Sequence, residues 1–148
     1  MSGTFIAVDT NLLVYAHNSS SSWHLAARSA IEKLANSPQP WAIAWPCVHE
    51  FLAITTSPKL FPHPDSMPAA IAAVEAWMES PALRILGELR GHWAELSAML
   101  RAGQIRGGAV HDARIAALCR EHGVTELWTA DRDFSRIAGV RVHNPLLD

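Results

Sequence analysis

The sequence is short of long apolar runs and of cysteine. No apolar stretch approaches the ~18 residues that a membrane-spanning helix requires, so we expect no membrane segment. The apolar residues begin within five positions of the first residue, which predicts that there is no signal sequence and that the protein is cytoplasmic. The only two cysteines, Cys47 and Cys119, lack metal-ligand spacing, and we interpret both as buried, apolar-like thiols.

Phosphate-binding glycine motifs are also missing. The sequence contains neither a Gly-x-x-x-x-Gly-Lys loop nor a Gly-x-Gly-x-x-Gly turn, which argues against a bound nucleoside triphosphate or dinucleotide. We find no internal repeat, no low-complexity tract and no domain linker. The 148 residues, 49% of them hydrophobic and 18% charged, therefore predict one domain over residues 1–148 with a sizeable core.

The charges are unevenly distributed along the chain. Residues 1–100 carry five lysines and arginines against eight acids, whereas residues 101–148 carry seven arginines against six acids. If a cation neutralises some of the later acids, the C-terminal third becomes locally basic. A polyanionic partner is then compatible with a formal net charge of −2.

Short apolar runs alternate with longer amphipathic segments, which is typical of a parallel sheet covered by helices on both faces. Strands are predicted at residues 5–8, 41–45, 82–86, 126–128 and 140–142, and helices at residues 11–16, 23–35, 47–56, 68–79, 89–102 and 109–122. Four prolines between residues 57 and 68 predict an extended loop. Ordered structure is expected to end at Asn144-Pro145. The resulting fold class is α/β, with a central and mainly parallel sheet of four to five strands.

Two helical stripes are interpreted as core or dimer surface. The first consists of Ile71, Val74, Trp77 and Met78, and the second of Leu89, Trp93, Leu96 and Leu100. Nothing in either stripe indicates a cofactor.

The first strand ends at a carboxylate, and the rest of the chain is interpreted around it. Asp9 follows Phe5-Ile6-Ala7-Val8 and precedes a helix, so it lies at the sheet edge where α/β proteins bind ligands. Burying a lone carboxylate costs several kcal/mol or more, so Asp9 requires a partner.

Further acids occupy comparable positions. Glu50 shares a helical face with small apolar residues, and Asp112 lies in the first turn of a helix. Asp131 and Asp133 follow the fourth strand. Strand ends and the helix starts that follow them meet at one edge of a parallel sheet, so these acids can converge there. Their mutual repulsion calls for a cation, and an oxygen-only ligand set selects a hard ion, Mg²⁺ or Mn²⁺. Such a site suits phosphoryl chemistry on the phosphodiester backbone of a nucleic acid.

Other catalytic sets are less well supported. Of the eight histidines only His49 and His111 adjoin proposed ligands, and each projects about 100° away from its acidic neighbour on a helix. Asp9-Thr10-Asn11 comes one residue short of the Asp-x-Asp nucleophile of dehalogenase-type phosphatases, because the second aspartate is missing.

Four segments together resemble the PIN domain, and more narrowly the VapC toxins of bacterial toxin–antitoxin pairs. They are residues 9–16 (DTNLLVYA), Glu50 in its helix, residues 111–117 (HDARIAA) and residues 127–134 (LWTADRDF). The resemblance covers essentially the whole chain, ending in the tail at residues 142–146.

The resemblance implies an α/β/α sandwich and a Mg²⁺- or Mn²⁺-dependent endoribonuclease. Asp9 and Asp112 would be the principal metal ligands, Glu50 and Asp131 would complete the acidic set, and Asp133 would support them. It also implies a homodimer and a small antitoxin of the VapB type that covers the site. Thr10, Asn11 and Thr129 are expected to orient carboxylates or the attacking water.

The functional hypothesis is a toxin that cleaves RNA by metal-assisted hydrolysis. Four arginines flanking the proposed ligands are candidate phosphate contacts: Arg106, Arg114, Arg132 and Arg136. Two alternatives stay open, a metal-stabilised RNA- or protein-binding module without turnover and a dehalogenase-type phosphatase that forms an aspartyl-phosphate on Asp9.

Overall fold

The computed structural model describes residues 3–137 and 139–148, without the side chains of residues 135 and 136. The five strands found there are β1 (Ile6–Val8), β2 (Trp41–Ala44), β3 (Leu83–Leu86), β4 (Glu126–Trp128) and β5 (Arg141–His143). They form one sheet in the order β3-β2-β1-β4-β5, and every neighbouring pair is parallel. The predicted α/β fold with a parallel central sheet is confirmed.

Six α-helices flank the sheet within the described residues. They are α1 (Thr10–His17), α2 (His24–Ala35), α3 (Trp45–Thr55), α4 (Met67–Met78), α5 (His92–Gly103) and α6 (Ala109–Glu121). Helix α1 packs against α2 and α3, α3 packs against α4, and α5 pairs with α6. Short 3₁₀ helices occupy Arg132–Arg136 and Pro145–Leu147. None of the helices in this part of the chain is long and apolar enough to cross a membrane.

The core lies where the central strands meet the helices. Residues 41–44 of β2 are all buried, because this strand has neighbours on both sides and helices over it. Leu12 and Leu13 of α1 and Phe51 of α3 are completely inaccessible to solvent. Both cysteines are free and buried, as predicted.

Several predicted boundaries were wrong by one to three residues. Strand β1 begins at Ile6 rather than Phe5, and β5 spans residues 141–143 rather than 140–142. Trp45 was assigned to the end of β2 but is the first residue of α3, since Pro46 already holds a helical backbone angle there. Regular structure also continues past Asn144, where it was expected to end. The Asn144 side chain accepts a hydrogen bond from Leu146 N and caps the last 3₁₀ helix.

The two helical stripes are less buried than a core assignment requires. In the α4 stripe Val74 is buried, but Ile71 and Met78 are 43% and 41% exposed. Helix α5 begins at His92, which leaves Leu89 outside it and 48% exposed, and Trp93 is 69% exposed. Spacing identified helices correctly here but could not show which faces meet the rest of the protein.

Candidate active site

Asp9 occupies the central position at the carboxyl edge of the sheet. Its backbone N–H donates to the carbonyl of Trp128 at 2.9 Å, so the end of β1 is tied to the end of β4. The residue caps α1, with Oδ1 accepting from Thr10 N at 2.8 Å, and it is only 5% exposed. A helix amino terminus favours a negative charge at this position.

Asn11 and Thr129 hold the second oxygen of Asp9. Thr129 Oγ1 donates to Asp9 Oδ2 at 2.7 Å, and Asn11 Nδ2 lies 3.3 Å from the same oxygen and 3.0 Å from Thr129 Oγ1. Asn11 Oδ1 in turn accepts from Ala130 N at 3.1 Å. Two segments 118 residues apart are thereby joined around one carboxylate. This network fixes the orientation of Asp9.

The environment of Asp9 opposes its charge. Burial is the main cause that raises its pKa from 3.8 to about 6. The hydrogen bonds from Thr129 and Thr10 oppose this rise, and the charges of Glu50 and Asp112 add to it. Glu50 and Asp112 are therefore electrostatic neighbours of Asp9.

Asp112 links Asp9 to the acids that follow β4. It lies in the first turn of α6 and is half-buried. Its pKa is raised by burial and then by the charges of Asp131, Asp133 and Glu50, while His111 acts in the opposite direction. Electrostatic interactions thus link all five predicted acids, which come from four separate segments of the chain.

Asp131 and Asp133 differ in their surroundings. Asp131 N donates to Thr129 Oγ1 at 3.0 Å, and Asp131 Oδ1 accepts from Asp133 N at 2.8 Å, capping the 3₁₀ helix at Arg132–Arg136. Asp131 is half-buried, whereas Asp133 is exposed. Asp133 and Asp112 line a cavity of about 400 Å³ together with Arg106.

The four arginines have separate locations. Arg106 lines the cavity beside Asp112, and Arg114 lines a different cavity with Trp45 and His49. Arg132 is exposed on the 3₁₀ helix after β4 and already interacts with other groups. The side chain of Arg136 lies outside the described residues.

Cys47 is a contact of the site that the sequence interpretation missed. Its thiol is completely buried and points at Asp9 Oδ1, with 3.7 Å between sulfur and oxygen. Burial, followed by the charge of Asp9, raises the pKa of this thiol, so it stays protonated. The signal was present in the sequence, because Cys47 lies three positions before Glu50 on one face of α3.

The donor chemistry of the acids suits a hard divalent ion. All candidate ligands are carboxylate oxygens, and Thr10 Oγ1 is a further buried oxygen without a hydrogen-bond partner in the described part of the chain. Within that same part, no three His, Cys, Asp or Glu side chains are grouped so that they could hold an ion as they stand. In the described residues Glu50 and Asp112 are electrostatic neighbours of Asp9 but do not form a ready-made ion site with it.

Comparison with known proteins identifies the family. The family model of the PIN domain matches residues 6–140. Ribonuclease VapC48 of Mycobacterium tuberculosis is 32% identical over 145 residues, which are 98% of each chain. VapC ribonuclease Mb2897 of Mycobacterium bovis is 32% identical over 141 residues, or 95% of each chain.

Solved structures share the fold. VapBC2 from Rickettsia felis, bound to a promoter DNA fragment, superposes with a TM-score of 0.69 at 19% identity, covering 95% of this chain and 98% of that one. VapC20 from Mycobacterium tuberculosis, a sarcin–ricin loop cleaving toxin, gives 0.65 at 22% identity over 92% and 98% of the two chains. The fold and the family match are those of the PIN-domain class. Within that class, the chain belongs to the VapC family.

Proposed function

We propose that this protein is the ribonuclease toxin of a toxin–antitoxin pair and that it hydrolyses RNA phosphodiester bonds at the acidic edge of its sheet. The observation that carries the proposal is a buried, oriented Asp9 that interacts electrostatically with Glu50 and Asp112, while Asp112 interacts in turn with Asp131. The relatives at 32% identity are named ribonucleases, and they match this chain over nearly their full length.

A divalent cation, Mg²⁺ or Mn²⁺, is part of the proposal. Asp9 and Asp112 would be its principal ligands, with Glu50 and Asp131 completing the set and Asp133 in support. When bound, such an ion supplies an activated water and compensates the charge that develops on the phosphodiester. Its own positive charge would also relieve the repulsion that raises the pKa values of Asp9 and Asp112.

The protein's own residues supply orientation and substrate contacts. Thr129 and Asn11 hold Asp9 Oδ2 in place, and Thr10 N holds Oδ1. The Asp9 carboxylate therefore does not have to be oriented during the reaction. Arg106, which lines a cavity with Asp112 and Asp133, would contact a phosphate next to the scissile bond.

The proposed partners follow from the family. Neighbouring structures are VapBC complexes, some of them bound to DNA, which supports a small VapB-type antitoxin as the partner of this chain. We further propose that the protein is a homodimer and acts in the cytoplasm, where its RNA substrate is found.

The test is cleavage of bacterial total RNA by the purified protein with Mg²⁺ or Mn²⁺, followed by sequencing of the new RNA ends. Addition of EDTA should stop the reaction. Asp9→Asn and Asp112→Asn should each lower the cleavage rate at least about 100-fold, because each substitution removes one negative charge and alters one ligand of the proposed centre.

Glu75→Gln is the matched control, since Glu75 is an exposed acid on α4 and does not contact the acidic edge. It should cleave like the wild type, and circular dichroism should show that all three variants are folded. Undiminished cleavage by both aspartate variants would refute the assigned site. Binding of RNA without cleavage would indicate a binding module instead, and a trapped aspartyl-phosphate on Asp9 would indicate a phosphatase.

A further inference from the structure

A second cavity lies next to the acidic edge and has no role in the chemistry described above. It has a volume of about 260 Å³ and lies at the carboxyl ends of β2 and β3. Its lining includes the side chains of Trp45, His49, Glu88 and Arg114. Aromatic, cationic and acidic groups are thus combined in one small depression.

The aromatic part of this cavity is ordered and yet open to solvent. The rings of Trp45 and His49 are stacked, with 6.0 Å between centroids and 26° between planes. A Cβ placed on Gly87 would lie 3.5 Å from Trp45 Cδ1, so Gly87 faces the edge of the indole. Even so, Trp45 is 42% exposed. An indole held in this way offers ring surface on which a planar group can stack.

The cavity continues the acidic edge along the sheet. Strand β2 is the direct neighbour of β1, with Ala42 paired to Ala7, so the ends of the two strands are separated by roughly one inter-strand spacing of ~4.8 Å. Trp45 follows the end of β2 as Asp9 follows the end of β1. On the helices, His49 and Arg114 project about 100° and 200° around from Glu50 and Asp112, so the cavity lies beside the acids and not among them. A strand of RNA that reaches the acids can therefore reach this cavity with an adjacent nucleotide.

The charges in the cavity favour one orientation of such a nucleotide. Arg114 is the cation of the lining and suits a phosphate. The carboxylate of Glu88, which lies 3.8 Å from His92 Nε2, repels phosphate but can accept hydrogen bonds from base N–H groups. Unpaired bases in RNA commonly stack on aromatic side chains while arginines hold the backbone.

We propose that Trp45 and His49 form a stacking site for one unpaired nucleobase of the RNA substrate and that Arg114 contacts the adjacent phosphate. The inference rests on the proposed ribonuclease function and adds a determinant of substrate choice to it. Trp45 is then a substrate-binding residue whose loss affects recognition and leaves the acidic centre intact.

The experiment uses a short fluorescein-labelled RNA that carries a cleavage site mapped with total RNA. A second set of probes has the same sequence with one base at a time removed on either side of the cleaved bond. Trp45→Ala should lower kcat/KM on the intact RNA roughly 10- to 100-fold, because stacking on an aromatic side chain contributes that range. Trp45→Phe, which keeps a ring, should stay within about threefold of the wild type.

Trp23→Ala is the matched control, because Trp23 is 41% exposed, immediately precedes α2 and lines neither cavity of the edge. It should cleave as the wild type does. Removing the stacked base from the RNA should lower the wild-type rate by about the same factor as Trp45→Ala does on intact RNA. The rate of Trp45→Ala should not fall further on that abasic RNA, where wild type and variant should become equal.

Three results would overturn the inference while leaving the ribonuclease proposal standing. The first is cleavage of intact RNA by Trp45→Ala at the wild-type rate. The second is an equal loss of cleavage rate by this variant on intact and abasic RNA. The third is a changed oligomeric mass of the variant with unchanged cleavage, which would assign Trp45 to a protein contact. Absence of cleavage by the wild-type protein with both Mg²⁺ and Mn²⁺ would instead overturn the proposed function itself.

Discussion

Asp9 shows how a single residue can serve both the fold and the site. As the cap of α1 it satisfies Thr10 N, which benefits the fold, yet it is buried among other acids, which disfavours its charge. The hydrogen bonds from Thr129 and Thr10 compensate only part of that cost, since the pKa remains raised. A bound cation would therefore stabilise the ionised form of this carboxylate.

The raised pKa of Asp9 predicts how stability depends on pH in the presence of EDTA. Because the folded protein holds this proton up to about pH 6 and the unfolded chain releases it near 3.8, ionisation of Asp9 disfavours folding at higher pH. Between pH 4.5 and 7.5 the wild type should lose about 2 kcal/mol of unfolding free energy relative to Asp9→Asn, which does not titrate.

Urea unfolding of both proteins at the two pH values measures this difference. At pH 7.5, Mn²⁺ should restore the unfolding free energy that the wild type has lost. At pH 4.5, where Asp9 is protonated, Mn²⁺ should have little effect. A gap between wild type and Asp9→Asn that is the same at both pH values would contradict the assigned environment of Asp9.

At the scale of elements, helix α6 carries Asp112 to the edge of the sheet. A glycine flanks each end of this helix, and the two glycines have φ angles of opposite sign. Gly123 follows the helix with φ +75°, and the next residue, Val124, donates its N–H to the carbonyl of Cys119 at 2.9 Å. This is the usual glycine stop of a helix. Gly108 precedes the helix with φ −60°, a value that any residue adopts.

Gly123→Ala should therefore destabilise the protein by about 1 kcal/mol, because alanine is strained at positive φ although no atom lies within 4 Å of the added Cβ. Gly108→Ala is the matched control at the other end of the same helix, and it also meets nothing within 4 Å. It should leave stability within about 0.5 kcal/mol of the wild type or increase it slightly. Equal urea midpoints for the two variants would show that the conformation of Gly123 is not required.

At the scale of the whole molecule, the surface retains large apolar side chains away from the acidic edge. Leu89, just before α5, and Trp93, in its first turn, are 48% and 69% exposed, and Ile71 and Met78 on α4 are 43% and 41% exposed. Exposed apolar groups of this size are typical of surfaces that contact another protein. They agree with the proposed homodimer.

Light scattering after size exclusion should give a mass of twice the 16.2 kDa of one chain. Leu89→Ser combined with Trp93→Ser should shift the protein towards the monomer if α5 forms the interface, whereas Ile71→Ser with Met78→Ser tests α4 in the same way. A monomeric wild type at micromolar concentration would contradict the dimer.

The order and type of the elements could be read from the sequence. The buried run before Asp9, the prolines of residues 57–68 and the short strand at Glu126–Trp128 carry strong local signals, because hydrophobic period and proline act within a few residues. The acids could be found in the same way, since each interrupts an apolar pattern at the end of a strand or on a helix face. Their catalytic and metal-binding roles stay predictions.

What only the tertiary structure decided are the contacts between distant segments and the exposure of each face. The hydrogen bond between Asn11 and Thr129, the thiol of Cys47 on Asp9 and the open indole of Trp45 depend on how strands pair and helices pack. No local pattern encodes these distances, because they arise from contacts between residues up to 120 positions apart. The sequence determined which groups are available for chemistry, and packing determined which of them meet.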